Sequence, residues 1–349
     1  MIRVLVVDDS HIIRNKISQG LDNFKGIEVT GTAADAYEAR EKIVALQPDV
    51  VTLDLEMPRM DGFSFLEKLM AHYPLPVIVV SSISQAGSAS AIRALELGAV
   101  DVLSKPNSKE EVPAFLQMLM EKIKIAAQAK IRNHAAPTAQ NPVAGAQTLT
   151  EGELKHKVLA IGASTGGTEA IAKVLQALPK EIPGTVMVQH MPAYIMPAFA
   201  KRLNDLSALE VQEAKNGMTL RPGLALLSPG DKHMVISRNG DNYMIHLKDG
   251  PKVFHQRPSV EVLFDSVAKC AGPSAVGVIL TGMGADGARA LLNMKNQGSY
   301  TIAQDEKTSV VFGMPKAAID LEAATAVLAL DKIPQGIIRG FKKLCGAEV

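Results

Sequence analysis

The chain opens with short apolar runs separated by stretches in which apolar residues recur at helical spacing. The runs at 3–7, 27–33, 49–54, 77–81 and 100–104 predict strands. The stretches near 11–23, 37–46, 63–72, 89–97 and 110–124 predict helices. Ser10 suits the N-cap of the first helix and Gly98 the stop of the fourth. Five strands alternating with five helices predict a doubly wound α/β domain, a (βα)5 unit with a parallel sheet, over residues 1–124.

The pattern fades after residue 124. The run H-A-A-P-T-A-Q-N-P-V-A-G-A-Q-T lacks large apolar residues and cannot bury enough surface to order itself. Residues 125–154 therefore read as a flexible linker whose start frays from the fifth helix. A second α/β domain, expected over 155–349, has strand patterns at 158–161, 185–189, 210–213, 276–280 and 300–303. Helical patterns lie at 169–178, 196–206, 260–271, 288–297 and 333–344. The runs L-A-L-L, H-M-V-I-S and Y-M-I-H-L, broken by S-P-G and R-N-G-D-N, predict a small antiparallel ribbon beside a mainly parallel sheet. No internal repeat is evident.

Composition narrows the functional classes. With 349 residues, 47% hydrophobic and 21% charged, the chain has the balance of a multi-domain globular protein. A net charge of +1 supplies no broad basic field for nucleic acid. Two cysteines, Cys270 and Cys345, make no disulfide framework and fit a reducing cytosol. Asp8 and Asp9 cut the first apolar run too short for a signal peptide, and no run approaches a membrane span. A cytoplasmic location without membrane insertion is expected.

Chemistry collects at strand ends, where open parallel sheets bind ligands. In the first domain those ends carry Asp8 and Asp9, then Asp54, then Ser81, then Lys105 before Pro106. Each alone reads as a cap or a solvated side chain. Together they make an acidic pocket that needs a cation, and oxygen donors shared with phosphate favour Mg²⁺. A carboxylate beside that ion can accept a phosphoryl group as an acyl phosphate, with Lys105 and the Ser81 hydroxyl on its oxygens.

The set V-V-D-D-S, T-L-D-L-E-M-P-R-M-D-G, V-V-S-S and S-K-P resembles the receiver domain of two-component response regulators over about the first 120 residues. The resemblance implies Asp54 as the phosphorylation site, and Mg²⁺ on Asp8, Asp9, Asp54 and the Glu56 backbone carbonyl. It also implies Ser81 and Lys105 as sensors of the phosphoryl group. Where that family often carries an aromatic switch on its last strand, this chain has Val102.

In the second domain the first strand runs into G-A-S-T-G-G, residues 162–167, whose first five positions fit a G-x-S-x-G nucleophile elbow. The same turn also suits a phosphate cradle or plain structure, and by itself favours the hydrolase only slightly. His190 ends the next strand, and Asp286 sits in T-G-M-G-A-D-G before a helix, where alone it reads as an N-cap. On one rim, however, the three supply a nucleophile, a general base and a carboxylate that orients the base. The order Ser…His…Asp differs from the Ser…Asp…His order of α/β-hydrolases. The Thr165 N–H and the loop at Met283 are candidate oxyanion donors.

G-A-S-T-G-G, V-Q-H-M-P, L-L-S-P-G-D-K-H-M, R-P-S-V, L-T-G-M-G-A-D-G and Q-D-E-K-T-S-V-V-F-G-M-P-K-A-A-I together resemble the chemotaxis receptor methylesterases of the CheB family. The order receiver, linker, hydrolase matches too. The resemblance implies a triad of Ser164, His190 and Asp286, with no cofactor for the esterase. It implies demethylation of glutamate methyl esters on chemoreceptors, deamidation of receptor glutamines, and phosphorylation of Asp54 by a chemotaxis histidine kinase. The unphosphorylated receiver is then expected to cover the Ser164 rim. Rival expectations are a nucleotide- or anion-binding output domain, a DNA-binding regulator, which the absence of a helix-turn-helix pattern opposes, and a hydrolase of another ester or amide.

Overall fold

The computed structural model describes residues 1–82, 88–131, 154 and 156–346, and the chain divides into two compact units, 1–137 and 138–349. Each unit is a sheet with helices packed on it.

The first unit alternates β1 (Ile2–Val7), α1 (His11–Asp22), β2 (Ile27–Ala33), α2 (Ala36–Leu46), β3 (Val50–Leu53), α3 (Gly62–His72), β4 (Val77–Ser81), α4 (Ser88–Glu96), β5 (Asp101–Ser104) and α5 (Val112–Ala126). The five-stranded sheet has the order β2-β1-β3-β4-β5 and every pairing is parallel. Val4 and Val6 of β1, Val50 of β3 and Ile78 and Val80 of β4 bury against Ile17, Leu21, Phe115, Leu119 and Ile123. Their helical partners sit at i, i+4 or i, i+8 spacing, so one stripe of each helix is covered. The strand order reverses between β1 and β3, which opens a crevice at their carboxyl ends. α5 runs two residues past the expected domain end at 124, and Ala127, Ala129 and Ile131 still pack on this core. Most of the expected linker lies outside the described residues.

The second unit contains β6 (Val158–Ala163), α6 (Gly167–Ala177), β7 (Gly184–Gln189), α7 (Met196–Leu206), β8 (Glu210–Glu213), β9 (Thr219–Leu220), β10 (Leu224–Leu227), β11 (His233–Asn239) and β12 (Asn242–Lys248). It continues with α8 (Val260–Cys270), β13 (Ala275–Ile279), α9 (Ala288–Asn296), β14 (Tyr300–Gln304), α10 (Met314–Asp320), β15 (Ala326–Leu328) and α11 (Ile333–Leu344). Seven strands form a parallel sheet in the order β15-β14-β13-β6-β7-β10-β8, and β11, β12 and β9 form a separate antiparallel ribbon. Succession runs one way from β6 through β7 and the other way from β13, so the reversal lies between β6 and β13.

L-A-L-L does not belong to the ribbon as expected. As β10 it is a parallel strand between β7 and β8, and all four of its residues are buried. An unbroken apolar run fits a strand covered on both faces, whereas a one-face ribbon strand alternates. The ribbon's third strand is instead the two-residue β9, paired with Tyr243 and Met244. α10 and β15 had no sequence expectation; they are short.

α8 matters most for the site. Ser259 caps it, accepting the Val262 N–H. Val260, Leu263, Phe264, Val267 and Ala268, at i, i+3, i+4, i+7 and i+8, are buried. Burying Phe264 alone contributes about 2–3 kcal/mol, and it anchors the helix whose N-terminus faces Asp286.

Candidate active site

The end of β6 turns sharply at Ala163-Ser164-Thr165. Gly166 takes φ +77°, and a Cβ there would lie 2.6 Å from Val310 Cβ, so backbone conformation and space both demand glycine. Gly162 leaves room for Val260, whose Cγ1 would come within 2.2 Å of an added Cβ. β6 and α8 thus approach more closely than any side chain would allow. The Ser164 N–H donates to the Thr281 carbonyl at 3.0 Å, which ties the turn to the end of β13. Gly282 then packs directly on Ser164, with an added Cβ 2.6 Å from Ser164 Cβ.

His190 follows β7. Its N–H donates to the Ala163 carbonyl at 3.1 Å, so the residue before the serine holds the base's backbone. Gln189 clamps the two segments, its Nε2 donating to the Ser164 carbonyl at 2.8 Å and the His190 carbonyl at 3.1 Å.

Asp286 lies 2.8 Å from His190, carboxylate Oδ2 to ring Nε2, and both side chains are buried. It is not the cap of α9 that its position also allowed; Gly287 occupies that place. Its carboxylate instead faces the N-terminus of α8. Oδ1 accepts from the Ser259 hydroxyl at 2.7 Å and the Glu261 N–H at 2.9 Å, and Oδ2 accepts from the Val260 N–H at 2.8 Å. The orphan N–H groups and positive end of that helix favour an anion there. Burial alone would raise the Asp286 pKa, but the His190 bond and charge, with the Glu261 and Ser259 donors, outweigh it and hold the carboxyl below its ordinary value. Glu261 returns the contact by accepting the Gly287 N–H at 3.0 Å.

With Nε2 committed to Asp286, Nδ1 is the ring nitrogen left to serve Ser164. The Ser164 hydroxyl makes no hydrogen bond among the described residues; such bonds commonly close only when substrate binds. The N–H groups of Thr165 and Met283 are likewise uncommitted among the described residues. The fold thus brings Ser164, His190, Asp286, Thr165 and Met283 together at the sheet's reversal.

Sequence reasoning gave no role to Gln189, to Ser259 or to the N–H groups of Val260 and Glu261. R-P-S-V carried a signal that was not used: a serine after a proline, at the head of an amphipathic helix.

In the first unit, Asp8 and Asp9 follow β1, Asp54 follows β3, and oxygen atoms of the three carboxylates lie within 4.8 Å of one another. Lys105, past β5, has Nζ 2.7 Å from both Asp54 Oδ2 and Asp8 Oδ2. Only the Asp54 contact is aligned as a hydrogen bond; the Asp8 contact is an ion pair off the bonding axis. Burial pushes the Asp8 carboxyl above its ordinary value, against the lowering effect of Lys105. Burial would lower Lys105, but its contacts with the Asp54 and Asp8 carboxylates prevail and raise it.

Three clustered carboxylates, all hard oxygen donors and two of them buried, fit a small divalent cation. Glu56 lies on the loop after Asp54 and donates its N–H to Asp54 Oδ1 at 3.3 Å. Gly62 lets α3 approach that loop, since a Cβ would lie 2.4 Å from the Asp54 carbonyl. Ser81 ends β4 and is buried. Val102, at the position where receiver domains often carry an aromatic switch, is buried too.

Comparison with known proteins agrees with both units. Residues 159–337 match the family model of the CheB methylesterase, and residues 4–117 that of the response regulator receiver domain. A protein-glutamate methylesterase/protein-glutamine glutaminase of Syntrophus aciditrophicus is 49% identical over 97% of this chain and 98% of its own. A protein of the same name from Salmonella typhimurium is 48% identical over 97% of this chain and 96% of its own. The crystal structure of the Thermotoga maritima CheB methylesterase catalytic domain covers 52% of this chain and 97% of that one, at 37% identity and a TM-score of 0.52. The chain therefore belongs to the CheB methylesterase family, hydrolases of chemotaxis in which a response regulator receiver precedes the esterase domain.

Proposed function

We propose that this enzyme hydrolyses glutamate methyl esters on methyl-accepting chemoreceptors, and deamidates receptor glutamines, by acyl transfer through Ser164, His190 and Asp286. The observation that carries the reading is the His190–Asp286 contact at 2.8 Å on the rim where the Ser164 turn emerges. A serine hydroxyl needs a base near neutral pH, and a buried ionised carboxylate gives that base a fixed tautomer and a stabilised cation.

Ser164 Oγ attacks the ester carbonyl while His190 Nδ1 takes its proton. The carbonyl oxygen, now negative, is received by the Thr165 and Met283 N–H groups; each such donor is worth about 10²–10³ in rate. The C–O bond breaks, His190 returns the proton, and methanol leaves. Water, deprotonated by His190, attacks the acyl-enzyme; Ser164 recovers its proton and a glutamate carboxylate is released. With a glutamine substrate, ammonia leaves in place of methanol. These steps use only groups of the chain and water.

The receiver, in this reading, takes a phosphoryl group on Asp54 from a chemotaxis histidine kinase. Mg²⁺, held by Asp8, Asp9, Asp54 and the Glu56 carbonyl, would supply positive charge for the phosphoryl oxygens. Lys105 and Ser81 bind those oxygens once Asp54 is modified, which replaces one of the two carboxylates now beside Lys105 and shifts the receiver to its active state. Among the described residues no helix is long and apolar enough to cross a membrane. The reading puts the enzyme in the cytoplasm, where kinase and receptor signalling domains meet, with no role for nucleic acid.

If both activities share one acyl-enzyme, Ser164→Ala must remove both. Mass spectrometry of a receptor fragment with glutamine at the modified position should show conversion to glutamate by the wild type and none by Ser164→Ala. Deamidation that survives in the variant would separate the two activities and sink the shared mechanism.

A further inference from the structure

The loop between β12 and α8 has no part in the chemistry above, yet it is tied to the site at both ends. At its far end Ser259 bonds Asp286 at 2.7 Å. At its near end the Pro251 carbonyl accepts from His233 Nε2 at 3.0 Å. His233 closes the Pro229–Lys232 loop, where Gly230 packs on Ala193, with an added Cβ 2.3 Å from Ala193 Cα. Ala193 lies three residues after His190. The loop over 250–258 is thereby anchored at one end beside Asp286 and at the other to a segment that packs next to the stretch after His190.

Three features of the loop lack a structural use. Val253 and Gln256 exchange backbone hydrogen bonds of 3.0 and 2.9 Å across a two-residue turn. Both central residues, Phe254 and His255, have positive φ, +50° and +63°. That conformation favours Asn-Gly, and for a bulky aromatic residue it is strained. Phe254 nevertheless stays 42% exposed, so packing does not account for it. Strain kept without burial points to function. Second, the half-buried Arg257 donates from one terminal nitrogen to the Gly250 carbonyl at 2.7 Å, while its buried Nε has no partner among the described residues. Third, residues 251–258 contain Lys252 and Arg257 and no carboxylate. Neither cation is ion-paired among the described residues, whereas nearby Lys232 pairs with Asp249 at 3.2 Å.

We propose that the 250–258 loop reads the protein substrate and takes an acidic segment, with Arg257 and Lys252 on carboxylates flanking the ester and Phe254 on an apolar side chain beside them. The charge is complementary: the reaction leaves a glutamate carboxylate, and the loop presents two cations and no carboxylate. A guanidinium with spare donors is suited to a carboxylate, and an exposed rim lysine to steering. The proposal rests on the Ser164 hydrolase reading and adds the element that selects its substrate.

The test is methanol release by the full-length enzyme from methylated receptor membranes, with KM and kcat measured at low and high salt. Lys252→Glu alters an exposed side chain with no partner among the described residues; its KM should rise about threefold or more at low salt, with the difference shrinking as salt rises. Arg257→Gln should raise KM about tenfold, and Arg257→Lys less. Phe254→Asn relieves the turn, so Tm should hold or rise while KM increases. Unchanged KM in both Lys252→Glu and Arg257→Gln overturns the proposal. A fall in kcat alone for Arg257→Gln also overturns it, because that residue would then act through Asp286. If Arg257→Gln does not fold, Lys252→Glu and Phe254→Asn decide. A wild type that releases no methanol would instead overturn the hydrolase reading, a distinct result.

Discussion

Asp286→Asn is expected to lower methanol release from methylated receptors by about 10⁴-fold in kcat, the loss typical of a triad whose carboxylate becomes an amide. The geometry explains why so small a change is so costly. Every group around the Asp286 carboxylate is a donor: His190 Nε2, the Ser259 hydroxyl, and the N–H groups of Val260 and Glu261. An amide has one accepting oxygen and an NH₂ that must face two of those donors. If the NH₂ faces His190, the ring must turn its lone pair to it and carry the proton on Nδ1, where it cannot take the serine's. If it faces Ser259 and Glu261, two donors lose their acceptor at about 1–3 kcal/mol for a buried group. The Asp286 carboxyl is held below its ordinary pKa, so the stability it adds is present above that ordinary value and is lost as pH falls through the depressed one. The variant should therefore show a flatter fall of Tm in acid than the wild type. A kcat within tenfold of wild type would mean that Asp286 is structural only.

Asp54→Ala is expected to abolish stimulation by a small phosphodonor, bringing the ratio of stimulated to unstimulated methanol release to about one. In the wild type a tenfold stimulation needs only about 1.4 kcal/mol of differential stability between restrained and active states. A phosphoryl group adds about −1.5 to −2 charges at pH 7 beside Lys105, a lysine now shared between Asp54 and Asp8. New charge-assisted hydrogen bonds from Lys105 and Ser81 to the phosphoryl oxygens, each worth about 1.5–3 kcal/mol, are enough to supply that difference. Stimulation that persists in Asp54→Ala would refute the assignment of the switch.

The two sites were legible in the sequence to different depths. Asp8, Asp9, Asp54 and Lys105 follow apolar runs with clean ends, and a parallel sheet concentrates its chemistry there, so their convergence could be read from strand order alone. Ser164, His190 and Asp286 were readable as a set for the same reason, but not singly. The residues that hold them were not. Asp286 is fixed largely by backbone N–H groups of Val260 and Glu261, which carry no side-chain identity, and by Ser259, 27 positions away. The misplacement of Leu224–Leu227 has a related cause. Four apolar residues between turns look alike in a ribbon and in a sheet, and what distinguishes β10 is that β7 and β8 pair along both of its edges and both of its faces are buried.

The central claim, that Ser164 is the nucleophile of a receptor methylesterase, is tested most directly by methanol release from methylated receptor membranes with wild-type enzyme and Ser164→Ala at equal concentration. Steady release by the wild type is expected, with the variant at the level of the enzyme-free control, a loss on the order of 10⁶-fold, as when a triad serine is removed elsewhere. Equal release by the two would contradict it.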